Sequence, residues 1–269
     1  MNVSIKAEPL FELFGVEVTN SMLLGVGGII LLIAWLVFVS RRIAKDRYGT
    51  DKKGFFTRLV LWCFEGLYRN VCETIPNQKV AKAVAPFVIT IFFVVAIQYY
   101  VGILPFVGEA ITVGGHTPLF RSQVADLNFT IMLAIITLVA VQVWAIKVLG
   151  FKGSMKRYFV NPLKDPINSF AGALELISEF SRTVALALRL FGNVFAGEVL
   201  LLVVAYLGSF ASPLLLPFFF IFELFIGGIQ AYVFFMLATV FVGLAVSHGG
   251  HTESSHSTGA KKAVSEMST

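Results

Sequence analysis

Nineteen consecutive residues at positions 21–39, SMLLGVGGIILLIAWLVFV, carry no charge. A helix of that length crosses the roughly 30 Å hydrocarbon core of a bilayer. Comparable apolar stretches lie at about 86–104, 127–149, 166–207 and 214–246. Over the whole chain of 269 residues, 57% are hydrophobic. An ordinary soluble domain is excluded, and the expected fold is an all-α integral membrane protein with about five transmembrane elements.

The basic residues fix an expected orientation. Between Arg41 and Lys82 there are ten Lys/Arg against four Asp/Glu. Lys147, Lys152, Lys156, Arg157 and Lys164 mark a second basic segment. By the positive-inside rule both segments are cytoplasmic, so the N-terminus lies outside and the C-terminus inside. The net charge of +5 therefore belongs to loops between spans and does not indicate nucleic-acid binding. The N-terminal stretch has one Lys, three Glu and no early apolar core, unlike a signal peptide. Residues 1–20 are expected as an outer segment, 21–246 as the membrane domain, and 247–269 as a flexible cytoplasmic tail.

Between the first two spans, Phe56, Leu59, Val60, Phe64, Leu67, Val71 and Ile75 recur at helical spacing. They predict an amphipathic helix at the interface, packed on its own spans or docking a partner. Cys63 and Cys72 fall on the cytoplasmic side, where a disulfide is not expected and two thiols alone make no metal site. Asp126 and Asn128 open the third span as capping groups, although Asp126 could also line an aqueous mouth. His248, His251 and His256 sit in the polar tail, and no metal site is expected there. The fourth element starts at Pro166 and meets no breaker until about Gly208. Some 40 helical residues would reach roughly 60 Å, twice the hydrocarbon thickness. The fifth element is also longer than a simple span. Strong tilt of both would absorb the excess length.

The fourth element carries the chemistry. Its segment ELISEFSRTVALALRLFGNVFAGE holds Glu175, Glu179, Arg182, Arg189, Asn193 and Glu198 within apolar surroundings. An arginine at bilayer mid-depth costs at least about 3 kcal/mol, and with a pKa above about 12 it cannot escape by losing its proton. At about 100° per residue, Glu175, Arg182, Arg189 and Asn193 share one helix face. Glu198 lies on the opposite face, about 13 Å further along the axis. On the fifth element Glu223 and Gln230 are seven residues apart and share a face. Facing a helix with Arg189 and Glu198, they form a candidate polar seam. Singly, an interhelical hydrogen bond would explain Gln230, an interfacial position Glu223, and a helix-locking pair Arg189.

Gly192–Glu198 has the glycine spacing of a phosphate loop, but Glu198 stands where lysine is required. No metalloprotease or serine-hydrolase motif is present. No cofactor is expected, and the chemistry available is proton exchange on carboxylates beside a fixed cation.

LALRLFGNVFAGE at 186–198 closely resembles the fourth-helix motif of subunit a from the membrane sector of F-type ATP synthases. ADLNFT at 125–130, Gln230 within GGIQAYVFFMLATVFVGLA, and the basic loop after the first span are similar too. The resemblance implies a non-catalytic stator subunit, with two offset half-channels beside a rotating ring of c subunits. It implies Arg189 as the essential arginine facing that ring. It also implies Glu198, Glu223, Gln230, Asn193 and Glu175 as lining or adjoining the half-channels. Asp126, Glu179 and Arg182 are weaker candidates. The partners implied are the c-ring, the peripheral-stalk b subunits, the other synthase subunits and the lipid bilayer; chain length and the basic loop favour a bacterial plasma membrane over an organellar inner membrane as the setting. The competing class is an autonomous ion-coupled transporter or channel. That class usually shows inverted repeats, which are not found here.

Overall fold

The computed structural model describes residues 9–13, 16–48, 54–104, 108–113, 117–158, 166–208 and 212–247. The histidines of the tail and Lys164 lie outside these residues. Six helices and two short hairpins make up the described chain. Helix α1 covers Asn20–Tyr48, α2 Phe55–Thr74, α3 Gln78–Ile103, α4 Leu127–Tyr158, α5 Pro166–Leu207 and α6 Ser212–Ser247. All but α2 contain a segment long and apolar enough to cross a membrane. The protein is therefore an all-α, multi-pass membrane protein. Among the described residues the strands pair as β1 (Pro9–Leu13) with β2 (Val16–Thr19) and β3 (Gly108–Val113) with β4 (Thr117–Phe120), both antiparallel.

Helix α6 is the centre of the bundle. It packs on α3, α4 and α5, while α4 and α5 also pack together. One buried cluster joins Leu67, Val71 and Ile75 of the α2 region to Val84 and Val88 of α3 and Val242 of α6. A second joins Tyr99 of α3, Leu186, Leu190 and Val194 of α5, and Phe234 of α6. Trp35 of α1 and Phe64 of α2 both meet Phe93 of α3, with ring centroids 5.1 and 4.8 Å apart.

Helix ends follow local chemistry. Asn77 caps α3 through its side chain, which accepts from Lys79 N at 3.1 Å. The helix thus starts eight residues before Pro86, the position expected from hydropathy. The polar first turns belong to the helix although they are not part of the apolar run, and Pro86 is tolerated inside. Asp126 Oδ1 accepts from Asn128 N at 3.0 Å, so Asp126 caps α4. Asn128 is not a second cap; it is exposed within the first turn. Gly150, at φ 77° and ψ 159°, breaks α4 after the apolar run. That backbone conformation is strained for any residue with a Cβ.

The face expected for α2 is only partly right. Val60, Leu67, Val71 and Ile75 are buried, but Phe56 and Leu59 are exposed. Trp62 and Phe55 are also exposed, at 74% and 76%. The helix turns Thr57, Val60, Leu67 and Val71 into the bundle and leaves an aromatic edge outside. Cys63 and Cys72 are free thiols, and burial pushes the Cys63 thiol up, away from reactivity.

Candidate functional site: polar groups along helix α5

Helix α5 places its polar residues in three tiers. The first tier lies at the bundle end where α1, α4 and α6 begin. There Glu223 of α6 is buried at 4% exposure, and its Oε1 accepts from the Tyr99 hydroxyl of α3 at 2.5 Å. The Glu223 carboxyl rests directly on Gly197 of α5, where a Cβ would collide with it. Glu198 is the next residue and lies within electrostatic reach of Glu223 and of Arg121, which follows β4. Asp126 is at the same end, with Oδ2 accepting from Ser21 Oγ at 3.0 Å. Its observed bonds are a cap and a tie to α1.

The second tier is one turn deeper. Asn193 Nδ2 donates to Gln230 Oε1 at 2.8 Å, joining α5 to α6. Gln230 is buried, and its Nε2 has no partner among the described residues. Arg189 is one turn further along α5 but turns outward. It is exposed and makes no hydrogen bond or ion pair with the described residues. Glu223 and Gln230 do line the α5–α6 boundary, but Arg189 stands outside that seam.

The third tier lies toward the other end. Gln142 Nε2 of α4 donates to Glu179 Oε2 at 2.6 Å. Arg182 bonds the Ser178 carbonyl at 3.2 Å and lies over the Phe241 ring, 5.3 Å from its centroid. Glu179, Arg182 and Thr183 border a cleft with Thr137 and Val141 of α4 and Phe241 of α6. Glu175, half-buried, sits one turn beyond. Glu179 is about 15 Å from Arg189 along the axis, and Glu198 about 13 Å in the opposite direction.

Three participants escaped the sequence reading. Tyr99 sits in an apolar helix where a buried tyrosine is unremarkable. Gln142 looks like a single polar residue in a span, and Arg121 like a loop charge. A search for polar residues at the depth of Glu223 and Glu179 on the neighbouring spans would have found the first two.

The fold and these tiers define a class: a multi-pass helical membrane protein with buried polar groups along one long helix and a fixed cation on its open face. Residues 22–243 match the family model described as ATP synthase A chain. Over 231 residues the sequence is 32% identical to ATP synthase subunit a of Enterococcus faecalis, covering 83% of this chain and 90% of that one. For the Priestia megaterium subunit a the identity is 31% over 248 residues, covering 89% and 97%. The Enterococcus hirae subunit a is 39% identical over 160 residues, spanning 57% of this chain and 63% of the relative. The chain belongs to the ATP synthase subunit a family.

Proposed function

We propose that this chain is the proton-conducting stator subunit of an F-type ATP synthase, with Arg189 facing the ring of c subunits. One observation carries this reading. Arg189 lies in an apolar, membrane-long helix, is exposed, and makes no hydrogen bond or ion pair with the described residues. A guanidinium so placed costs several kcal/mol unless an anion outside the chain meets it. A carboxylate on a moving partner helix is such an anion. Facing Arg189, that carboxylate is favoured in its ionised form and gives up its proton. The cation also blocks direct leakage of protons past it.

The first two tiers then serve as one half-channel and the third as the other. Glu198, Glu223, Gln230 and Asn193 form the path from outside. Glu175, Glu179 and Arg182 adjoin the path to the cytoplasm. The paths are offset along α5 and separated by Arg189, so a proton must ride the ring between them. Each proton crossing 100 mV supplies about 2.3 kcal/mol of rotary work. The 42 residues of α5 reach about 63 Å, which supports a strongly tilted helix wrapped on the ring. The b subunits and the remaining synthase subunits complete the assembly, in a bacterial plasma membrane with the N-terminus outside. This chain makes no ATP itself.

The test is Arg189→Ala in membrane vesicles. ATP-driven proton pumping should fall at least about 100-fold, as expected when a required transition-state charge is removed, while soluble-sector ATP hydrolysis stays measurable. Normal pumping would overturn the proposal. Saturable solute uptake by the purified chain alone in liposomes would support an autonomous transporter instead.

A further inference from the structure

Tyr99 has no place in the reading above, yet it is the best-held polar side chain in the first tier. It is fully buried, and its ring fills a notch at Gly227 of α6, where a Cβ would collide with it. Its hydroxyl bonds Glu223 Oε1. The Glu223 carboxyl is pressed from the other side against Gly197 of α5. Three helices therefore hold one carboxyl group in one orientation. Glu198 of α5 interacts electrostatically with Glu223 and Tyr99, Arg121 from the segment after β4 faces Glu198, and Tyr100 of α3 lies beside Tyr99 with its hydroxyl near Gly228.

We propose that Tyr99 is a positioning residue for proton access: it occupies Oε1 of Glu223 so that proton exchange runs through Oε2 alone. A phenol is a far weaker acid than a carboxyl, so Tyr99 keeps its own proton throughout. When Glu223 is ionised, Oε1 accepts from the hydroxyl. When Glu223 is protonated, Oε1 still accepts and Oε2 carries the added proton. The hydrogen bond survives both states, and the carboxyl need not rotate between uptake and release. Proton balance is simple: one proton arrives on Oε2 from the outer side, and the same atom later gives one up toward Glu198. Without the hydroxyl, no donor marks Oε1 as the accepting oxygen, and the proton can reside on either oxygen.

This inference rests on the assignment of Glu223 to the outer half-channel. It is tested in the assembled enzyme in membrane vesicles with Tyr99→Phe, which keeps the ring in its notch. Loss of one hydrogen bond to a charged group should slow ATP-driven proton pumping about three- to tenfold, with normal amounts of the subunit in the purified complex. Glu223→Gln is the second variant. Adding Tyr99→Phe to it should slow pumping no further, because the hydroxyl acts through the carboxyl. Multiplicative losses in the double variant, or a Tyr99→Phe enzyme pumping at the unaltered rate, would overturn the inference. If Tyr99→Phe fails to assemble, Tyr99→Leu and Tyr99→Met, which carry no donor, are compared for subunit content; normal content with unaltered pumping in either also overturns it. Arg189→Ala separates the two failures. If that variant still pumps, the stator reading falls; if it does not, only the role of Tyr99 is in question.

Discussion

Helices α5 and α6 are both long and both strongly apolar, yet they are used in opposite ways. In the most apolar stretch of α6, half of the residues are buried within the chain. In that of α5 the share is 17%. Helix α6 spends its surface on its own bundle, with Phe234, Phe235, Ala238 and Val242 all enclosed. Helix α5 gives Leu186, Leu190 and Val194 to the core and leaves Leu174, Ile177, Phe180, Val184 and Leu188 outside. Lipid alone could cover such a face. Lipid tails offer no anion to Arg189, which lies on the open part of the same helix. The difference teaches that an apolar helix in a membrane is read by where its polar groups are satisfied, not by its hydropathy.

The sharpest way to break this contrast is a pair of phenylalanines. Phe234→Ala in α6 removes a fully buried ring between α3 and α5 and should cost about 3–5 kcal/mol. Phe180→Ala in α5, where the side chain is 66% exposed, should cost under about 0.5 kcal/mol. Equilibrium unfolding of the chain in lipid–detergent micelles measures both. Equal losses would mean that α5 is packed within the chain in a way this structure does not contain.

A smaller effect sharpens the contact between the two helices. Gly197→Ala places a methyl group where the Glu223 carboxyl now lies. The carboxyl must move off α5, and the overpacking should cost about 1–3 kcal/mol. The same substitution at Gly192, where a Cβ meets no neighbour, should be neutral or slightly stabilising through helix propensity. If the two alanines behave alike in the same unfolding measurement, the close approach of α5 and α6 at Gly197 is wrong.

Much of this contrast can be read from the amino acids, and the limits have physical causes. The length of α5 is legible because no breaker interrupts 166–207, and the helix runs there without interruption. The polarity of α5 is legible because charges in an apolar run are rare. Which charge is enclosed is less legible. Helical angles put Arg189 within about 40° of Asn193, yet one side chain is exposed and the other bonds Gln230. A face is defined by its neighbours, and the neighbours come from distant sequence. Tyr99 illustrates this most directly: its partner is 124 residues away. The two hairpins are not legible, since strands of four to six residues carry too short an alternation to stand out from loop. The aromatic edge of α2 is hard to read because Phe55, Phe56 and Trp62, which are exposed, are as apolar as the face of Val60, Leu67 and Val71 that is buried.

The smallest difference is the one between two substitutions in the second tier, and here the order matters more than the size. Gln230 has two polar ends: Oε1 accepts from Asn193, and Nε2 is buried with no partner among the described residues. Asn193→Leu would leave both ends of a buried amide unsatisfied and should cost about 1–3 kcal/mol. Gln230→Leu removes the orphaned donor along with the acceptor. It leaves only the half-buried Asn193 without its bond, so it should cost under about 1 kcal/mol, near the usual worth of an interhelical hydrogen bond in a membrane. The order Asn193→Leu above Gln230→Leu is the expected result in the unfolding measurement. The reverse order would mean that Nε2 is satisfied in the lipid-embedded protein, by water or by a partner helix, and that this tier already belongs to the hydrated path.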